Sequence, residues 1–210
     1  MCHNAGMRRV LLSLLLLLLA ACSSPQLPPL AAEAVVLAFG DSLTYGSGVQ
    51  PDQSYPAVLA QLIGREVVNG GVPGEISSEG LARLPALLDE VQPQLLILCH
   101  GGNDMIRKHD LAAAAENLRR MVRMAQERRI AVVLLAVPRP GIFMNPAEFY
   151  EEVAGEKEVP IEMEALPRIL ADRSLKSDPI HPNGEGYRQL AEAIANLLRE
   201  RGAIPAAPGV

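Results

Sequence analysis

The chain has 210 residues and a formal net charge of −5, and no basic stripe runs through it. This acidic balance argues against a nucleic-acid partner. The length suits one domain with a sizeable core, and because tryptophan is absent and aromatic residues make up only 3%, that core must be aliphatic.

The first residues have the pattern of a secretory signal. Met7-Arg8-Arg9 supplies positive charge, Val10 to Leu19 is almost all leucine, and small residues precede Cys22. The apolar run is shorter than the roughly 20 residues that span a bilayer. Leu19-Ala20-Ala21-Cys22 resembles the lipobox of bacterial lipoproteins, which implies a signal peptide over residues 1–21 and a lipid on Cys22. The alternative is a plain secretory signal with a coincidental cysteine.

The residues that follow Cys22 predict a tether. Residues 22–33 are rich in proline and small side chains, and at roughly 3 Å per residue they would reach about 30 Å. In lipoproteins of this kind, a serine such as Ser23 after the cysteine implies delivery to the outer membrane. We therefore expect a periplasmic, lipid-anchored protein. Residues 34–201 would form the domain, and residues 202–210 a flexible tail.

Short apolar runs alternate with amphipathic segments through that domain. Buried strands are predicted at residues 34–39, 95–99 and 130–137, with a shorter strand at 66–68. Helices are predicted near residues 53–63, from Ser77, after an Asp110 cap and after an Asn183 cap. Pro85 should kink or interrupt the second of these helices. The alternation predicts a parallel sheet covered on both faces, a three-layer α/β/α sandwich.

The segment from residue 138 to residue 176 is the least regular part of the domain. Several prolines divide it into short pieces, and aromatic and methionine side chains add apolar bulk near the carboxyl ends of the strands. We interpret part of it as a wall or lid of a substrate pocket. An ordinary connection with buried anchors is the alternative.

Three residues have the chemistry of an activated hydroxyl. Two residues separate Ser42 from the end of the predicted strand 34–39, and Asp178 lies three residues before His181 in a loop pinned by prolines. A serine hydroxyl becomes a nucleophile when a base such as His181 takes its proton, and a carboxylate such as Asp178 can hold the imidazole in the required tautomer. Each motif alone could be a helix cap or a surface turn, but their joint occurrence favours catalysis.

The attack of such a serine creates an oxyanion that needs hydrogen-bond donors. The candidates are the backbone N–H of Ser42, the backbone N–H of Gly74 and the side-chain amide of Asn103. Glycine lets its amide approach a substrate closely. Residues 70–74 could also form only a tight turn, and no Gly-Lys-Ser/Thr follows that would make them a phosphate loop. Because sites in such folds lie at the carboxyl ends of the strands, Ser42 and Asn103 should share one rim.

The remaining polar residues do not favour metal catalysis. After the predicted signal the histidines are His100, His109 and His181, and no His-Glu-x-x-His motif occurs. His100 is predicted to be a packed residue and His109 to lie in a solvated loop. Cys99 ends a buried strand and should be an inert thiol. We expect Asp41 and Asp104 to hold loops through backbone hydrogen bonds.

These motifs resemble the SGNH hydrolase superfamily, also called GDSL esterases and lipases. Gly40-Asp41-Ser42-Leu43 matches the first block, Gly74 the second, Asn103 the third, and Asp178 with His181 the last. The chain is most similar to the periplasmic acyl-CoA thioesterase, lysophospholipase and arylesterase group, which the helix from Ser77 also resembles. The resemblance implies a flavodoxin-like sheet and hydrolysis of small esters and thioesters without a cofactor.

The sequence thus predicts a lipid-anchored serine esterase that forms an acyl-enzyme on Ser42. Its partners would be a small acyl ester or thioester and the membrane that holds its lipid, and we expect a monomer. Two alternatives stay open. The enzyme could remove O-acetyl groups from envelope polysaccharide, or the domain could be a ligand-binding lipoprotein with an inactive site.

Overall fold

The computed structural model describes residues 24–141 and 144–206. Its centre is a five-stranded parallel sheet with the strand order β2-β1-β3-β4-β5. The strands are β1 (Val35–Gly40), β2 (Glu66–Gly71), β3 (Leu95–Cys99), β4 (Ala131–Leu135) and β5 (Ile161–Glu162). This is the flavodoxin-like order, so the predicted fold class is confirmed.

Helices cover both faces of the sheet. They are α1 (Ser42–Tyr45), α2 (Tyr55–Ile63), α3 (Ser77–Val91), α4 (Gly102–Ile106), α5 (Leu111–Glu127), α6 (Phe149–Lys157), α7 (Ala165–Ala171) and α8 (Gly184–Glu200). Helix α5 packs between α3 and α6, whereas α8 packs between α2 and α7. The predicted caps are confirmed, because Asp110 accepts the N–H of Ala112 at 2.8 Å and Asn183 accepts that of Gly186 at 3.0 Å.

The ends of three strands meet at one rim of the sheet. Gly40, the last residue of β1, is in register with Gly71 of β2 on one side and with Cys99 of β3 on the other. The chain leaves β1 between these two neighbours, at the point where the strand order reverses. The loops after β1, β2 and β3 therefore start side by side, where open α/β sheets bind their ligands.

The structure differs from the sequence prediction in two local features. Helix α3 runs without interruption from Ser77 to Val91 although it contains Pro85. Leu81, Leu84 and Leu88 are buried on both sides of the proline, and their packing outweighs the lost backbone hydrogen bond. Strand β5 was not predicted at all, because two residues in a proline-rich segment are too few to show a periodicity.

The two ends of the described chain, near residues 27–30 and 201–204, pack against the domain. Leu27 and Leu30 are each only 8% exposed, and Ala203 and Ile204 are buried. The backbone N–H of Leu27 donates to the carbonyl of Arg201, and that of Leu30 to the carbonyl of Ala203, both at 2.8 Å. The predicted free tether is therefore docked from Leu27 onward, and the predicted tail is docked as far as residue 204.

The predicted signal over residues 1–21 and the lipid site Cys22 lie outside the described residues. Within the described ranges, none of the helices combines the length and the apolar character needed to cross a membrane.

The docked N-terminal segment predicts a stability effect. We expect Leu30→Ala to lower the free energy of unfolding by about 2 kcal/mol or more, because a buried leucine is lost. The matched control is Leu62→Ala, since Leu62 is 39% exposed and should cost only about 0.5 kcal/mol. Urea denaturation measures both values. Equal and small effects would show that residues 27–30 contribute nothing to the fold.

Candidate active site

The structure brings together the three residues of the predicted nucleophile system. Nε2 of His181 lies 2.9 Å from Oγ of Ser42, although the two residues are 139 positions apart. Nδ1 of His181 lies 2.7 Å from Oδ2 of Asp178. Both distances are those of hydrogen bonds, so hydroxyl, imidazole and carboxylate form a continuous chain. This geometry lets the imidazole take the serine proton while the carboxylate holds the opposite ring nitrogen.

A single loop holds the carboxylate and the imidazole. Oδ1 of Asp178 accepts the backbone N–H groups of Ile180 and His181, both at 2.9 Å. The N–H of Ser177 donates to the carbonyl of His181 at 3.0 Å and closes the loop. Partial burial works to raise the pKa of Asp178, but the hydrogen bonds from His181 and from the two backbone groups outweigh it and lower the pKa. The carboxylate is therefore ionised beside the imidazole at neutral pH.

Ser42 is the first residue of α1, directly after β1. Asp41 caps this helix by accepting the N–H of Leu43 at 3.0 Å, as predicted for a loop-holding aspartate. Position 40 has no room for a side chain, because a Cβ on Gly40 would lie 2.3 Å from both the carbonyl oxygen of Cys99 and Oγ1 of Thr44. The tight turn places the serine hydroxyl at the rim.

The three expected oxyanion donors are not equivalent. The side-chain amide nitrogen of Asn103 donates to Oδ2 of Asp41 at 3.1 Å and to the carbonyl of Glu75 at 3.0 Å, so both of its hydrogens are engaged. Within residues 24–141 and 144–206, no acceptor engages the backbone N–H of Ser42 or Gly74. Gly74 has a φ of +79°, a conformation that favours glycine. The two backbone donors are free, whereas the Asn103 amide must share a hydrogen to reach a substrate oxygen.

A buried polar cluster beneath this loop was not predicted. Arg83 binds the carboxylate of Glu75 through Nε at 2.8 Å and Nη2 at 2.7 Å, and Nη2 also donates to the carbonyl of Gly70 at 3.0 Å. Nε2 of His100 lies 3.0 Å from the same carboxylate. Burial alone would raise the pKa of Glu75, but Arg83 and His100 outweigh it and lower the pKa to about 2. Glu75 is thus a fixed anion whose own carbonyl holds Asn103.

The other polar residues lie mostly where the sequence predicts. His100 is fully buried, and its carbonyl accepts the hydroxyl of Tyr150 at 2.7 Å. Cys99 is buried and His109 is exposed. Asp104 accepts both the backbone N–H and the hydroxyl of Ser77, at 2.9 and 2.8 Å, and so holds the start of α3. The described residues contain no group of three or more potential metal ligands.

An apolar cleft opens beside the serine. It has a volume of about 480 Å³, part of it open to solvent. Its apolar walls are Leu43, Ile106, Val137, Pro138, Pro140, Met144, Leu170, Pro179 and Ile180. Four of these residues come from the segment 138–176, which confirms the prediction that part of this segment forms a pocket wall. The cleft therefore offers apolar surface next to the hydroxyl.

Comparison with known proteins agrees with this geometry. Residues 38–189 match the model of the GDSL-like Lipase/Acylhydrolase family. The chain belongs to this family. The match covers the end of the strand that precedes Ser42, the Gly74 and Asn103 loops, and the Asp178–His181 loop. The predicted family and the prediction of a serine hydrolase are therefore confirmed.

Relatives within the family are enzymes that cleave esters or thioesters. The chain is 32% identical to the esterase TesA of Pseudomonas aeruginosa over 183 residues. This alignment covers 80% of this chain and 90% of that protein. It is 30% identical over 181 residues to the thioesterase 1/protease 1/lysophospholipase L1 of Escherichia coli strain K12, with 80% and 85% covered. A crystal structure of TesA matches with a TM-score of 0.73 at 28% identity, covering 80% of this chain and 99% of that chain.

The buried cluster beneath the rim predicts a positioning role for Glu75 in this hydrolase. We expect Glu75→Gln to lower kcat on a soluble ester by about tenfold, less than the 10²–10³ typical for a lost oxyanion donor. KM should stay nearly unchanged, because Glu75 does not line the cleft.

The matched control is Glu156→Gln. Arg119 holds the Glu156 carboxylate with two bonds, at 2.6 and 3.0 Å, outside the cleft. Glu156→Gln should leave kcat unchanged. A Glu75→Gln protein with an unaltered melting temperature and an unaltered kcat would contradict the positioning role.

Proposed function

We propose that this chain is a lipid-anchored serine esterase that hydrolyses carboxylic esters and thioesters through an acyl-enzyme on Ser42. The observation that carries the proposal is the hydrogen-bonded series Ser42, His181 and Asp178 at the edge of an apolar cleft. Membership in the GDSL-like Lipase/Acylhydrolase family supports this kind of acyl transfer to water.

In the first half of the reaction His181 acts as the general base. Its Nε2 takes the proton of the Ser42 hydroxyl while Oγ attacks the carbonyl carbon of the substrate. Asp178 keeps the proton on Nδ1 and stabilises the imidazolium that forms. The tetrahedral oxygen accepts hydrogen bonds from the backbone N–H of Ser42 and Gly74, and from Asn103 when its amide shares a hydrogen.

The first half ends when the tetrahedral intermediate collapses: the alcohol or thiol leaves with the proton from His181, and the acyl group stays on Ser42. In the second half a water molecule gives its proton to His181 and attacks the acyl carbonyl. This second intermediate collapses, the bond between the acyl group and Oγ of Ser42 breaks, Oγ takes the proton back from His181, and the acid is released. Asp178 stays ionised throughout, because its hydrogen bonds keep its pKa low.

The substrate class follows from the cleft and the relatives. The walls are mostly apolar, and each methylene group of an acyl chain that they bury contributes about 0.8 kcal/mol of binding. The named relatives are an esterase and a thioesterase with lysophospholipase activity in its name. We therefore favour arylester, lysophospholipid or acyl-thioester substrates over acetylated polysaccharide.

The cellular location is part of the proposal. Support comes from the sequence Leu19-Ala20-Ala21-Cys22, whose resemblance to a lipobox implies a lipid on Cys22 and a periplasmic, outer-membrane location. We propose that the anchored protein works as a monomer and that its membrane contact is made by this lipid.

The nucleophile assignment is tested with p-nitrophenyl butyrate. We expect Ser42→Ala to lower kcat by at least about 10⁴-fold, since removing the nucleophile of such a triad removes the acyl-enzyme route. Ser47→Ala is the control, because Ser47 lies in the loop after α1 and bonds through its backbone, which the substitution keeps: its N–H donates to the carbonyl of Ser42 at 3.0 Å and its carbonyl accepts the hydroxyl of Tyr187 at 3.2 Å. Unchanged turnover in Ser42→Ala would refute the assignment.

The substrate class is tested with a series of p-nitrophenyl esters from acetyl to decanoyl. We expect kcat/KM to rise from the acetyl ester to a medium-length acyl ester as the apolar walls of the cleft become covered. A strict preference for the acetyl ester would contradict the acyl-chain proposal and favour the polysaccharide O-acetyl esterase.

A further inference from the structure

The N-terminal segment is fixed at the end of the domain opposite the catalytic rim. Leu27 and Leu30 are buried and bonded to the carbonyls of Arg201 and Ala203, which follow the last turn of α8. Arg65, which precedes β2, donates to the carbonyl of Leu30 at 3.3 Å. These contacts hold the segment at the amino ends of the strands, and we call this end the anchor pole.

The length of helix α8 gives the distance between the anchor pole and the rim. It begins at Gly184, three residues after His181, and its first-turn Tyr187 donates to the carbonyl of Ser47 in the loop after α1, at 3.2 Å. It has 17 residues and ends at Glu200, beside the docked segment, and at 1.5 Å per residue it is about 25 Å long. Strand β1 spans the same two ends in the opposite direction, from the anchor pole at Val35 to the rim at Gly40.

The chain between the proposed lipid and the anchor pole is shorter than this separation. Five peptide units join Cys22 to Leu27. A fully extended chain spans at most about 3.6 Å per residue, so this stretch reaches about 18 Å. A cleft that faced the anchoring leaflet would put the anchor pole about 25 Å above the membrane surface, which is beyond that reach.

We propose that the anchored enzyme holds its cleft away from the leaflet that carries its lipid. Its substrates are then esters and thioesters that reach the cleft through the aqueous compartment, and not ester lipids packed in that leaflet. This proposal rests on the proposed function, both the hydrolase and the lipid on Cys22. The exposed Ile106 and Ile180 at the cleft entrance would contact the acyl chain of a dispersed molecule.

The test lengthens the chain between the lipid and the anchor pole. A flexible Gly/Ser segment of about 15 residues is inserted between Ser24 and Pro25, which leaves Leu27 and Leu30 docked and gives an average reach of about 25 Å, more when stretched. The control carries the same insertion after Ala206. The full-length lipidated proteins are reconstituted into phosphatidylcholine vesicles that contain a fluorogenic ester lipid, and p-nitrophenyl butyrate is supplied in solution.

We expect all three proteins to hydrolyse p-nitrophenyl butyrate at the same rate. The protein with the N-terminal insertion should hydrolyse the ester lipid of its own vesicles about fivefold to tenfold faster than the wild type and the control. Equal rates on the ester lipid, whether high or absent, would overturn the proposed orientation.

Two further results concern the proposed function and are distinct from that outcome. No hydrolysis of p-nitrophenyl butyrate would overturn the hydrolase and, with it, the orientation. Vesicle flotation that is the same for the wild type and for Cys22→Ser would overturn the lipid anchor on which the orientation rests.

Discussion

The side-chain amide of Asn103 joins the loops that follow the three neighbouring strands β1, β2 and β3. One of its hydrogens goes to the carboxylate of Asp41, next to the serine, and the other to the carbonyl of Glu75, next to Gly74. The relative positions of the hydroxyl and of the two free backbone N–H groups depend on these two bonds. A catalytic oxyanion site must be aimed before the substrate arrives, and this amide supplies that constraint.

The two partners of Asn103 are fixed by different means. Asp41 is almost fully buried, and this burial raises the pKa of its carboxyl group. Its side-chain oxygens accept hydrogen bonds from the Leu43 N–H and from the Asn103 amide, which fix the side chain in place. Glu75 is held from below by the guanidinium of Arg83, which also lies 4.3 Å from the ring centre of Phe39. Buried polar groups of this kind are stable only when their hydrogen bonds are complete, so each partner limits the movement of the others.

The catalytic rim and the packed ends of the described chain lie at opposite ends of the strands. The parallel strands carry the chemistry at their carboxyl ends, while the first and last segments of the described chain pack together at the amino ends. Helix α8 connects the two ends, since Asn183 begins it beside the catalytic loop and Arg201 ends it against Leu27. Helix α8 therefore separates the proposed lipid at one end from the cleft at the other.

Much of this arrangement was predictable from local sequence. Continuous apolar runs specified β1, β3 and β4, and Asp110 and Asn183 specified two helix starts, because these signals act within a few residues. The triad was predictable because Asp178 and His181 share one loop and Ser42 follows a strand, so that chemistry and topology pointed to one rim. The interruption that Pro85 could cause does not occur, because packing of the flanking leucines keeps the helix continuous.

By itself, then, the sequence determined the α/β class, the strands β1 to β4 and the candidate nucleophile, base and carboxylate. Only the tertiary structure decided that Arg83 and His100 converge on Glu75, that both hydrogens of Asn103 are engaged, and that Leu27 and Leu30 dock against the end of α8. The physical reason is range: strand and cap signals are local, whereas these contacts join residues whose proximity arises only when the sheet and its helices have packed.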